Sequence, residues 1–153
     1  MQKTNQEIVL EYIRTVWNEQ QYDALHNYLA SEYQDHSLIP SLPPNVIGVK
    51  KWIEATSASF EHRTRVEDLL CDGDKVFIRI RMELKHVGVW RDIAATGMEL
   101  ETDGYRLFRL HNGKITEHWA LIDGQVIENT LHAVNHSCTI TPAAHKPDAA
   151  VNR

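Results

Sequence analysis

The sequence is short of the features that would mark it for the cell exterior or a membrane. It has two cysteines, Cys71 in a strand-like segment and Cys138 in a polar stretch. That is no disulfide framework, and it fits a reducing compartment. No run approaches the roughly 20 apolar residues of a membrane span, and the opening MQKTNQEIVL lacks the apolar core of a secretion signal. The expected location is therefore cytoplasmic. Basic residues are outnumbered, 16 against 21 acidic, for a net charge of −5 with histidines neutral. Such a surface draws neither phosphate backbones nor anionic lipid, so neither nucleic acid nor membrane is expected as a partner. The chain also lacks a glycine-rich phosphate loop, a nucleophile elbow and a dinucleotide fingerprint. There are nine histidines, yet His132-x-x-x-His136 lacks the glutamate of a zinc-hydrolase helix. No metal and no cofactor are expected.

What is present is the composition of one soluble globule, 42% hydrophobic and 24% charged over 153 residues. A chain of this length can bury roughly 70% of its unfolded surface in one core. Thr4-x-x-Glu7 has the form of a capping box, and Ile8, Val9, Tyr12, Ile13, Val16 and Trp17 follow on one helical face. Ala24, Leu25, Tyr28 and Leu29 suggest a short second helix. Pro40, Pro43 and Pro44 force an extended loop, and a third helix is expected from about Gly48 to Phe60, with Val49, Trp52 and Ile53 inward.

After Arg63 the period changes from helical to alternating. Val66 to Cys71 runs to a turn at Asp72-Gly73. Val76, Ile78, Ile80, Met82 and Leu84 then share one face, with Phe77, Arg79, Arg81, Glu83 and Lys85 on the other. A strand from Met98 to Leu110 meets the hairpin dipeptide Asn112-Gly113, and Lys114 to Ile122 returns. A short helix is expected near Gln125 to Leu131, and TITPAAHKPDAAVNR reads as a disordered end. Helices first and strands after give an α+β layer: a curved antiparallel or mixed sheet wrapped on the N-terminal helices as a cone. The domain is expected over residues 1–131, with 132–153 a flexible tail.

On the last strand, strict alternation places Ile115, Glu117, Trp119, Leu121 and Asp123 on one face, and the apolar company marks it as inward. An enclosed carboxyl group in such surroundings is what a general acid or base needs, because desolvation raises its pKa. The competing reading pairs Glu117 with Arg106 or Arg109 and makes Asp123 the cap of the following helix. His86 ends the apolar row Val76 to Leu84 and shares its parity, so it too could face the interior. His36 precedes the proline loop that could form a mouth. Trp17, Trp52 and Trp119 are candidate pocket walls.

TVWNEQQYDALHNYLASEYQDH, LPPNVIGVKKWI and DGYRLFRLHNGKITEHWALID together resemble the SnoaL-like polyketide cyclases, a branch of the nuclear transport factor 2-like superfamily. The resemblance implies the cone fold, homodimers or homotetramers built through the open sheet face, and cofactor-free aldol closure of a small apolar carbonyl compound. It makes Asp123 the acid/base residue, with His36 and His86 as further catalytic candidates. Trp17, Trp52, Asp103, Glu117 and Trp119 are then the expected substrate contacts. The resemblance departs at Ala120, where relatives often carry a second acid. Two alternatives stay open: a non-catalytic hydrophobic-ligand or assembly module, and a hydratase or dehydratase in which His36 and His86 converge on Asp123.

Overall fold

The computed structural model describes residues 1–138, and side chains as far as residue 133. The expected disordered end, residues 139–153, lies outside the described residues, as does the side chain of His136.

The chain opens with α1, Asn5–Tyr12, capped as its sequence dictates: Thr4 Oγ1 accepts from Glu7 N–H while the Glu7 carboxylate accepts from Thr4 N–H. The helix then widens into a π-helix over Ile13–Asn18. Asn18 fixes its end, donating to Thr64 O at 2.9 Å and accepting from Thr64 N–H at 2.7 Å. All six apolar positions expected on this face are buried.

A 3₁₀ turn at Tyr22–Ala24 leads into the four-residue α2, Leu25–Tyr28. Leu29, expected at the end of that helix, instead begins β1, Leu29–Asp35. This strand was not expected. Leu29 continues the helical spacing of Leu25 and Tyr28 in α2, but it pairs with Ile115, far along the chain.

α3, Val46–Ser59, is capped by the Asn45 side chain, which accepts from the backbone N–H groups of Ile47 and Gly48. Then follow β2 (Phe60–Asp72), β3 (Lys75–His86), β4 (Glu99–His111) and β5 (Lys114–Ile122). The Asn112-Gly113 turn takes the positive φ values, 48° and 74°, that a two-residue hairpin of this hand demands. α4, Gly124–Cys138, is longer than the Gln125–Leu131 helix expected.

The sheet has the order β1-β5-β4-β3-β2, with β1 parallel to β5 and the other pairs antiparallel. It is an open mixed sheet whose inner face is covered by the helices, as expected. β3 alternates as its sequence says: Val76, Ile78, Ile80, Met82, Leu84 and His86 are buried inside. Outside, Arg79 and Arg81 pair with Asp68 and Asp103.

β5 does not alternate as expected, and the reason is local. Leu110 pairs with Ile115, but Arg109 pairs with Glu117, so Thr116 is an extra residue, a β-bulge. The bulge resets the parity. Ile115 faces inward, and beyond Thr116 the inward residues are His118, Ala120 and Ile122; Glu117, Trp119 and Leu121 belong to the outer face. Among the described residues no helix is long and apolar enough to cross a membrane.

Candidate active site

Between the sheet and the helices lies a cavity of about 500 Å3. Apolar side chains form most of its wall: Trp17 from the π-helix, Val49 and Trp52 from α3, Met82 and Leu84 from β3, and Ile127 from α4. Three of its polar groups come together on β1, β4 and β5: Asp35, Arg106 and His118; Ser37, Thr56 and Arg91 are the other polar side chains of the wall.

Pairing in the sheet brings these three together. Asp35 and His118 are Cα partners across β1 and β5, and Arg106 stands opposite Ala120, one inward position from His118. His118 Nδ1 is 2.8 Å from Asp35 Oδ2. That oxygen also accepts from the Tyr33 hydroxyl at 2.7 Å, and Oδ1 accepts from Ser37 N–H at 2.9 Å. Arg106 Nη1 is 3.3 Å from His118 Nε2. The guanidinium carbon lies over Trp17, 4.3 Å from the ring centroid, and the imidazole leans on Phe108, 4.9 Å between centroids.

The charges follow from these contacts. Burial pushes the Asp35 carboxyl up, but its bonds from His118, Ser37 and Tyr33 outweigh that and hold it below the usual range. Burial lowers the pKa of His118; the Asp35 carboxylate opposes this and the Arg106 cation adds to it. The consistent proton arrangement is an ionised Asp35 and a neutral imidazole that donates from Nδ1 and keeps its lone pair on Nε2. Burial lowers Arg106 as well, though from a starting value so high that it stays charged. Beside it, burial pushes the Tyr12 hydroxyl up to about 12.

The residues expected at the site fall in different places. Trp17 and Trp52 line the cavity. Asp123 does not: its side chain is exposed and its Oδ1 accepts from Val126 N–H at 3.1 Å, the capping role that was its competing reading. Glu117 and Trp119 are corrected to the outer face by the bulge. There Glu117 binds Arg109 at 2.6 Å, and His36 stacks on Trp119 with centroids 4.5 Å apart. Asp103 is also outside, paired with Arg81. His86 is fully buried, but its Nδ1 accepts from Thr96 N–H at 3.2 Å and it forms no part of the cavity wall. His36 and His86 therefore do not converge on Asp123, and the hydratase arrangement is not formed. Among the described residues no three His, Cys, Asp or Glu side chains gather as a metal site requires.

Sequence reasoning missed Asp35, Arg106 and His118. One signal was available: an inward row whose second member is Glu117 is itself evidence that the strand slips a residue there.

The SnoaL-like polyketide cyclase family model matches residues 7–131. Solved structures agree in fold. TsrD from Streptomyces laurentii superposes with a TM-score of 0.74 at 22% identity, over 84% of this chain and 94% of its own. IdmH from Streptomyces antibioticus gives 0.76 at 20% identity, over 85% and 99%. A SnoaL-like polyketide cyclase from Agrobacterium tumefaciens gives 0.71 at 19%, over 84% and 98%. Among curated proteins no sequence match is found.

Proposed function

Because the chain belongs to the SnoaL-like polyketide cyclase family, we propose that it is an enzyme performing cofactor-free proton transfer on a small apolar carbonyl compound, with His118 as the acid/base group. The observation that carries this is a neutral, buried imidazole tied at Nδ1 to a carboxylate while its Nε2 sits beside a cation on the cavity wall. In that arrangement Nε2 takes a proton from a carbon flanked by carbonyls. The enolate attacks a second carbonyl of the same molecule, forming the ring bond, and the imidazolium returns its proton to the new alkoxide. Asp35 stabilises the imidazolium and fixes its tautomer. The Arg106 N–H groups face the oxygens on which charge develops.

The test is turnover of aromatic β-keto esters that carry a further ketone within ring-closing reach, followed as enzyme-dependent cyclisation or α-deuteration in heavy water by mass spectrometry. His118→Gln should lose at least about 100-fold, the usual contribution of a positioned acid/base group. Unchanged turnover in a folded His118→Gln protein would overturn the assignment. One observation favours a non-catalytic ligand-binding module instead: Arg106 already engages Nε2. That reading predicts ligand binding without turnover in the same assay.

The reading includes a homo-oligomer joined through the outer sheet face. In its support, Leu70, Phe77, Leu107 and Trp119 are in register across four strands, with Tyr105 and Leu121 alongside, and Leu70 and Leu121 are 68% and 72% exposed. It also keeps the cytoplasmic location, supported by the free, exposed thiol of Cys71.

A further inference from the structure

Arg106 is the one arginine among the described residues that is buried, at 4% exposure. A buried cation ordinarily has a carboxylate in direct contact, since removing it from water is costly. Four other arginines of this sheet have such a partner although water reaches them: Arg65 meets Glu83, Arg79 meets Asp68, Arg81 meets Asp103, and Arg109 meets Glu117; Arg63 is exposed and needs none. Arg106 is buried and has none. Among the described residues its hydrogen bonding is limited to the 3.3 Å contact with His118, and its Nε has no partner. Asp35 is the nearby anion, but His118 stands between them and both Asp35 oxygens are already engaged.

The surroundings sharpen this. The guanidinium sits over the Trp17 ring, which helps to hold it in place. Opposite it on β5 is Ala120, too small to cover it. The ionised groups on the cavity wall are Asp35, Arg91 and Arg106, two cations against one anion, in a chain whose net charge is −5. Arg91 is spoken for by Glu128 at 2.9 Å. Arg106 is thus the cation with bonding capacity left over, on the wall of a mostly apolar cavity.

We propose that Arg106 is an anion receptor, so that the cavity takes an apolar compound bearing a carboxylate, which the guanidinium fork binds beside His118. The proposal rests on the reading of this cavity as the ligand site and names the ligand's charge. A planar, pre-oriented guanidinium matches a carboxylate in the bidentate mode, a geometry a lysine could not offer. Engaging the carboxylate draws Nη1 from His118, which frees the Nε2 lone pair.

The experiment compares 2-naphthoate with 2-naphthamide, its uncharged counterpart, by calorimetry near pH 7. Quenching of tryptophan fluorescence gives a second readout, since Trp17, Trp52 and Trp90 line the wall. Expected is at least tenfold tighter binding of the acid, and loss of that preference in Arg106→Gln but not in Arg91→Gln. Equal binding of acid and amide, binding of neither, or a preference that survives in a folded Arg106→Gln protein would overturn the proposal. The wild-type comparison decides the matter even where the glutamine variant fails to fold. Because no turnover is read, a failed acid preference leaves the catalytic role of His118 standing, and failed catalysis leaves the receptor standing.

Discussion

Asp35 and His118 lie 83 residues apart in the chain and are joined twice. Across the parallel strands β1 and β5, His36 N–H donates to His118 O at 2.9 Å, and within the core the His118 ring meets the Asp35 carboxylate at 2.8 Å. The backbone pairing sets the distance at which the side chains meet, so the dyad is a product of strand register.

Asp35→Asn tests that relationship. The amide cannot hold an imidazolium, and its NH₂ can turn His118 to the wrong tautomer. Turnover should fall by about 100-fold or more. Stability should fall by about 1–3 kcal/mol, because Tyr33 and His118 lose a charged acceptor within the core. Steady-state kinetics and urea denaturation measure the two effects separately.

Asp123 should behave as a helix cap and nothing more. Asp123→Asn keeps a capping side chain and should leave stability and turnover close to wild type. Asp123→Ala should cost about 1 kcal/mol of stability with turnover per folded molecule intact. A large loss of turnover in Asp123→Asn would restore the role that the family resemblance assigned to it.

Stability should decline as the solution is acidified from pH 8 to pH 5. Burial lowers the pKa of His62, His86 and His118, so below the ordinary histidine value near 6.5 the unfolded chain binds protons that the folded one refuses. Stability from this source is complete above that value and is lost as pH falls through the window beneath it. The slope is at most about 1.4 kcal/mol per pH unit for each withheld proton. Asp35, held low, adds a second loss only at more acidic pH, below the ordinary aspartate range. Urea midpoints across the range measure the slope, and His118→Leu should flatten it.

Leu70→Asp should reduce the mass seen by sedimentation equilibrium without unfolding the chain. Leu70 is exposed on the outer face, beside Phe77 in the apolar row, and a charge there has no partner once a second copy covers it. An unchanged mass would overturn assembly through this face.

Most elements could be read in the sequence because their signals are local. Thr4-x-x-Glu7 starts a helix by its own chemistry, Asn112-Gly113 makes a hairpin by its own backbone freedom, and β3 announces both of its faces by alternation. β1 could not be read in this way, since it is completed by a parallel partner that arrives only at Ile115. The site was hidden by the same kind of non-local choice. Glu117 and His118 are neighbours, and a bulge at Thr116 decides which of them enters the core. His36 drew attention while Asp35, one residue earlier, is the buried one. Arg106 was considered as a partner for Glu117, a role that Arg109 fills.

The π-helix at Ile13–Asn18 has one more consequence. A π turn accommodates one residue more than the α-helical turn it replaces, so removing a residue between Tyr12 and Trp17 would let the segment rewind as ordinary α-helix. Asn18 is pinned to Thr64, and a deletion absorbed in this way leaves the segments on either side in phase, whereas a deletion inside the α-helical part, Asn5–Tyr12, turns what precedes it by about 100°. The stripe of Ile8, Val9 and Tyr12 would keep facing the sheet while Trp17 stayed under Arg106. The widened turn is thus a one-residue reserve, and a single deletion there should harm the fold less than the same deletion one turn earlier.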